Sequence, residues 1–251
     1  MLKTDRYSKI YNLVSSKKSV TVQYLSKKLY ISEATIRRDL ADMEKNNLIK
    51  RVWGGAMLPT VNKDAPLFVR EQLNQDSKEK IAKIASKFLK NSCSIFMDPS
   101  STCLPLVQYM KDLKNVVVVT NSLRVSKMVS DNTEASIIVL GGHVYEGTIL
   151  AGRTVVEAVK QYHTDLMFFS CSGISASAGL TSLEPRVVEV SQEMMRHTSK
   201  KILLADSSKV GVEALLTLAD ITAPDYVIME KKPDDSELVR VLGDRLITED
   251  A

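Results

Sequence analysis

Residues 32–56 read SEATIRRDLADMEKNNLIKRVWGGA. Ser32 suits a helix start, since its hydroxyl can accept a bond from an amide of the first turn. Glu33 in that turn matches the positive end of the helix dipole. At about 100° per residue, Ile36, Leu40 and Met43 fall within about 40° of one direction and form a single apolar stripe. The other side carries Ala34, Arg38, Ala41 and Lys45, flanked by Thr35 and Arg37. Small residues beside cations let a helix lie close to a nucleic-acid groove and reach phosphates and base edges. Taken alone, the pattern equally fits a surface helix with solvated charges.

The residues upstream decide between these. Over 5–15, Ile10, Leu13 and Val14 have the spacing of a short helix with one buried face. After the basic turn Lys17-Lys18-Ser19, Thr21 is expected to cap a second helix over 22–29, buried through Val22, Leu25 and Leu29. Tyr30-Ile31-Ser32 then turns tightly into the third helix. Two short helices joined this way, the second bearing the basic face, make a helix-turn-helix. Asn46-Asn47 are expected to stop the third helix, 48–53 alternates towards a strand, and Gly54-Gly55 turns it. The prediction is a winged helix over residues 1–58 that binds double-stranded DNA. Its expected DNA-binding residues are Thr21, Ser32, Glu33, Thr35, Arg37, Arg38, Lys45, Arg51 and Trp53.

Charge agrees with this division. The 251 residues carry a net +4, but residues 1–58 hold twelve Lys/Arg against five Asp/Glu, or +7. The remainder holds 22 against 25, or −3. A basic head on a mildly acidic body fits phosphate-backbone binding by the head alone. The basic start MLKTDRYSK is followed by no apolar stretch, so no secretory signal is expected. The longest apolar runs, such as 116–119, fall far short of the ~20 residues of a spanning helix. Cys93, Cys103 and Cys171 are odd in number, show no paired-thiol or zinc spacing, and are expected to pack as small hydrophobes. The expectation is therefore a cytoplasmic protein without metal or other cofactor.

The stretch PTVNKDAP at 59–66 mixes two prolines with small polar and charged residues and reads as a boundary. A linker is expected over 59–75 and a second domain over 76–251. Ser77 is expected to cap a helix reaching about Lys90. Beyond it, strands are expected over 94–98, 116–120, 136–140, 166–170, 201–205 and 226–229. Helices are expected between them over 103–111, 123–130, 154–161, 187–196 and 236–242. Continuous apolar strands separated by helices indicate an α/β domain, a mainly parallel sheet covered by helices on both faces.

In such sheets ligands sit beyond the carboxyl ends of the strands, where strand order reverses. The polar punctuation falls there: Asp98-Pro99-Ser100-Ser101-Thr102, Thr120-Asn121-Ser122, Gly141-Gly142, Gly173 to Gly179, and Asp206 to Gly211. Backbone amides and hydroxyls at the first of these make a reasonable phosphate cradle. By itself that motif favours a plain loop whose Ser and Thr cap the helix, because strand ends need turn residues anyway.

Two sets of residues resemble a known family. Thr35-Ile36-Arg37-Arg38-Asp39-Leu40, followed by Arg51 and Gly54-Gly55-Ala56, closely resembles the N-terminal domain of DeoR-family transcription regulators. The body resembles their C-terminal sensor through Pro66 with Arg70, Glu79-Lys80-Ile81-Ala82, Asp98 with Thr102, Thr120-Asn121-Ser122, Gly141-Gly142, Gly152, Ser172-Gly173-Ile174, Gly179, and Asp206 with Lys209. That sensor is similar in fold to ribose-5-phosphate and glucosamine-6-phosphate isomerases and coenzyme A transferases. The resemblance implies a regulator, expected to repress a carbohydrate operon, whose DNA binding a phosphorylated sugar modulates; the small interface of one winged helix adds the expectation of a homo-oligomer. It implies that Asp98, Ser100, Ser101, Thr102 and Lys209 hold the phosphate. Thr120, Asn121, Asp206 and glycines 141, 142, 152 and 173 would frame the sugar. The family usually has Asp-x-Gly-[Ser/Thr]-Thr where this chain has Asp98 to Thr102. It often has Thr-Asp where Met229-Glu230 stands here.

The alternative is a sugar-phosphate isomerase or transferase fused to a DNA-binding head, since fold does not decide function. Proton transfer at a sugar carbon needs a positioned carboxylate or His. The loop SGISASAGLTS at 172–182 contains neither. His143 and His163 are possible bases but stand alone. No Ser-His-Asp spacing, metal cluster or P-loop appears, so no catalytic residue is expected.

Overall fold

A computed structural model describes residues 3–17, 19–45, 48–57, 67–145 and 147–249. The stops expected at Asn46-Asn47, the Lys18 of the basic turn and the linker prolines 59 and 66 lie outside the described residues. The chain divides into two compact units, Met1–Leu73 and Asn74–Ala251.

In the first unit α1 (Lys3–Lys17), β1 (Ser19–Thr21), α2 (Val22–Leu29) and α3 (Glu33–Lys45) precede a hairpin, β2 (Lys50–Val52) and β3 (Gly55–Met57), and then α4 (Leu67–Gln72). β3 is the middle strand of a small antiparallel sheet ordered β1-β3-β2. The fold is thus a winged helix-turn-helix. Ile10, Val14, Leu25, Ile36, Leu40 and Met43 close its core, the stripes that helical spacing predicts. Thr21 caps α2 by accepting from the Tyr24 amide at 3.1 Å. Tyr30 turns the chain towards α3 in the left-handed region, φ 57°. Asp39 sits in this core at 2% exposure. Its carboxylate takes both Nε and Nη2 of Arg6, at 2.5 and 2.8 Å, and so ties α3 to α1. Residues 67–75, expected as a bridge, instead form α4, whose Val69 is buried with the helices of this unit, and the start of the next helix.

The second unit runs α5 (Gln75–Ala85), β4 (Ser94–Met97), β5 (Val117–Thr120), α6 (Leu123–Asn132), β6 (Ser136–Val139), β7 (His143–Tyr145), β8 (Ile149–Ala151) and α7 (Arg153–Val159). It continues with β9 (Thr164–Phe169), β10 (Gly173–Ser175), β11 (Gly179–Ser182), α8 (Pro185–Arg196), β12 (Thr198–Leu204), β13 (Leu216–Ala219), β14 (Tyr226–Ile228), α9 (Ser236–Leu242) and β15 (Leu246–Ile247). Seven strands make one sheet ordered β15-β14-β12-β9-β4-β5-β6, parallel throughout. Side chains alternate between its faces. Phe96, Met167, Phe169 and Leu203 meet α7, α8 and α9 on one side. Ile95, Met97, Phe168 and Ile202 meet α5 and α6 on the other. Burial on both faces is why these strands read as unbroken apolar runs.

Four features differ from expectation. The segment expected as a helix over 103–111 is a 3-10 helix, Leu104–Met110, with Pro105 in its first turn, where a missing N–H costs nothing. α5 begins at Gln75 rather than at a Ser77 cap, and ends at Ala85 in a short 3-10 turn, Ser86–Phe88. The pair β7/β8 and the three strands β10-β11-β13 form small antiparallel sheets outside the main one. β15 adds an edge strand after α9.

Candidate functional site

On the first unit, Arg37, Arg38, Lys45, Arg51 and Trp53 are all exposed. Arg37 pairs with Glu33 one turn earlier at 3.1 Å. Arg38 has no partner among the described residues, and lies about 200° around the helix from Ile36. Ser32 accepts from the Thr35 amide at 3.3 Å, and the two hydroxyls lie 2.9 Å apart, so both serve the start of α3. Glu44 was not expected to matter. Its Oε1 accepts the Arg51 backbone amide at 2.8 Å, fastening the outer strand of the wing to α3.

On the second unit, the chain runs from β4 outward through β5 to β6, then returns to β9 beside β4 and proceeds the other way. The order therefore reverses between β4 and β9, where α/β sheets hold their ligands. Asp98 follows β4 and Ser170 follows β9. The buried Asp98 carboxylate accepts the Ser170 amide at 2.9 Å through Oδ2 and the Ser100 amide at 2.9 Å through Oδ1. Burial pushes this carboxyl above its ordinary range, against the pull of those N–H groups. Burial and the Asp98 charge together raise the Cys103 thiol well above its usual value.

Lys209, after β12, crosses to this point. Its Nζ lies 2.6 Å from Ser170 Oγ and 3.3 Å from Thr102 Oγ1. A second lysine reaches the same loop from α5: Lys78 Nζ donates to Ser101 Oγ at 3.0 Å, with the residue only 4% exposed. Lys78 was missed, although it stands three and four residues before Ile81 and Ala82, on the buried side of the helix. Ser100 takes the position of the family's Gly without a left-handed backbone, and its hydroxyl accepts the Cys103 amide at 3.3 Å.

The loop after β12 is held from two further directions. Asn74 Nδ2 donates to Asp206 Oδ1 at 3.1 Å and to Ser208 Oγ at 3.2 Å. Glu230, in place of the family's Asp, accepts from the Ser207 hydroxyl at 2.6 Å and from its amide. At the end of β5, Thr120 donates to Met97 O at 2.7 Å, and Asn121 Nδ2 donates to Leu150 O at 2.9 Å. Asn121 Oδ1 is buried with no hydrogen-bond partner among the described residues.

The glycines have packing reasons of their own. A Cβ at Gly142 would stand 2.3 Å from Val155 Cγ2, and one at Gly173 would stand 2.1 Å from Val212 O. Gly152 precedes α7 with φ +102°, and only Gly141 faces open space without a left-handed backbone. The loop over 172–182 is the β10–β11 hairpin, and its Ser175 and Ser177 hydroxyls meet a carboxylate from outside the loop, Glu213 Oε1, at 3.1 and 2.8 Å. Among the described residues no group of three or more His, Cys, Asp or Glu is placed to hold a metal, and no helix is long and apolar enough to cross a membrane.

Family models match both units. Residues 6–61 match the DeoR-like helix-turn-helix domain, and residues 73–231 match the DeoR C terminal sensor domain. The HTH-type transcriptional regulator GolR of Listeria innocua is 32% identical over 92% of this chain and 92% of its own length. The glycerol-3-phosphate regulon repressor of Escherichia coli is 28% identical over 98% of each. Ribose 5-phosphate isomerase A from Methanocaldococcus jannaschii superposes on 55% of each chain with a TM-score of 0.40 and 17% identity. A winged head with an exposed basic helix, a parallel-sheet body, and both family matches in register make this chain a member of the DeoR family of helix-turn-helix transcriptional regulators.

Proposed function

We propose that the chain is a cytoplasmic repressor of a carbohydrate operon, released from or recruited to its operator by a phosphorylated sugar or polyol. The carrying observation is the pair of lysines on one loop: Lys78 at Ser101 and Lys209 at Thr102 and Ser170, where the strand order reverses. Two cations beside the hydroxyls of Ser101, Thr102 and Ser170 match the charge and the acceptor oxygens of a phosphate monoester. Asn121 Oδ1, a buried acceptor without a donor among the described residues, suits a hydroxyl of the same ligand. The glycerol-3-phosphate regulon repressor among the relatives points to the same chemical class. The reading assigns no catalytic role to the site.

The test is a titration of labelled operator DNA by the full chain across a panel of sugar and polyol phosphates. Charge-assisted bonds are worth about 1.5–3 kcal/mol each, so Lys209→Met should weaken the effector midpoint by roughly tenfold to a hundredfold. Affinity for DNA without effector should stay as in the wild type. An unchanged midpoint removes Lys209 from the site, and product formed from any panel member overturns the non-enzymatic reading.

A further inference from the structure

Trp53 is the only tryptophan of the chain, and its relative exposure of 103% means that none of the described residues of its own unit covers it. It opens the two-residue turn between β2 and β3, and Gly54 beside it takes φ +73°, which lets the turn close so tightly. β2 is the outer strand, with Lys50, Arg51 and Val52 all exposed. The core of the unit is complete without the indole. The wing is also not loose, because Glu44 holds the Arg51 amide from α3. An apolar ring thus stands at the end of a short, braced ribbon whose neighbours are cations. Leaving so large an apolar side chain in water forgoes the burial that normally places it inside.

We infer that Trp53 is a wedge: on the operator it enters the minor groove next to the major groove taken by α3, stacks on or between base pairs, and bends the duplex. DNA satisfies both halves of the feature, since phosphates flank the groove for Lys50 and Arg51 while the stacked bases offer an apolar interior. A protein surface matched to the indole has no such reason to want two cations beside it. The inference rests on the head's binding DNA and adds what its wing does there. It implies specificity at positions that no side chain reads, because flexible pyrimidine–purine steps open at least cost.

The single indole makes the test direct. A fluorescent duplex enriched from a random-sequence library by the full wild-type chain is titrated by anisotropy, and tryptophan emission is followed in the same samples. At saturation the emission should be quenched and the indole protected from acrylamide. Donor and acceptor dyes at the duplex ends should move closer. Trp53→Ala should weaken binding about tenfold, the size of one lost stacking contact, and relax the bend, while Trp53→Phe retains most of both. Unchanged emission and acrylamide access in a complex that anisotropy shows saturated would overturn the wedge. Emission that shifts with protein concentration before DNA is added assigns the indole to a second copy of the chain and overturns it as well. Absence of any duplex binding at low salt would instead remove the DNA reading itself, and the wedge with it.

Discussion

Asp98 is held by two backbone amides and yet sits where ionisation is costly. Its folded pKa is raised above the unfolded value of about 4. The folded state therefore binds the proton more tightly than the unfolded state between those two values. As pH rises through that window, stability is lost, and once above the raised value the ionised carboxylate carries the full cost. Asp98→Asn should flatten this dependence. Urea midpoints measured from acid to neutral pH are expected to converge at the acid end and separate as pH rises, and parallel curves would contradict the burial argument. At the same scale, the hydroxyls and Lys209 were legible because strand-end polar clusters mark ligand edges. Lys78 was not singled out, since a lysine among apolar helix positions looks like a solvated one until the helix is seated. Asn74 and Glu230 lie far in sequence from the residues they hold, Asp206 and Ser207, and only the tertiary fold brings them together.

The recognition helix divides its two arginines by angle. Arg38 points almost opposite the buried stripe and is unpartnered among the described residues, whereas Arg37 lies to the side and engages Glu33. Arg38→Ala should cost about 1–3 kcal/mol and relax preference at one base position. Arg37→Ala should weaken all sequences alike and reduce the salt slope by about one unit. Anisotropy at several salt concentrations separates them, and a double variant that binds like the wild type sinks the assignment of α3. Elements that bury a regular stripe were readable in advance: α2 starts at its Thr21 cap, and both α2 and α9 span the ranges expected of them. The small sheets were not, because β7 (HVY), β10 (GIS), β11 (GLTS) and β13 (LTLA) interrupt their apolar residues with polar ones or glycine, whereas equally short main strands read as unbroken apolar runs. The 3-10 helix Leu104–Met110 has the sequence pattern of an ordinary helix because its buried positions repeat similarly over so short a span.

For the whole molecule, one winged helix offers too small a surface for strong operator preference, and proteins of this architecture bind two half-sites as dimers. Light scattering on the full chain should therefore give at least twice the mass of one chain at micromolar concentration. A monomer with and without DNA would rule this out. Composition and charge asymmetry made the two-part plan legible, but the place of the join was not, since α4 packs its Val69 with the residues before the prolines.

That join has a practical side. Leu73 packs against the core of the first unit, and the next residue, Asn74, spends its side chain amide on Asp206 and Ser208 of the sensor. Responsibility for the two units passes across a single peptide bond. A chimera that exchanges operator heads between relatives must recombine there. A cut a few residues later would cost the sensor's Asp206–Lys209 loop one of its two anchors, and the hybrid would bind the new operator with a blunted response to the old signal.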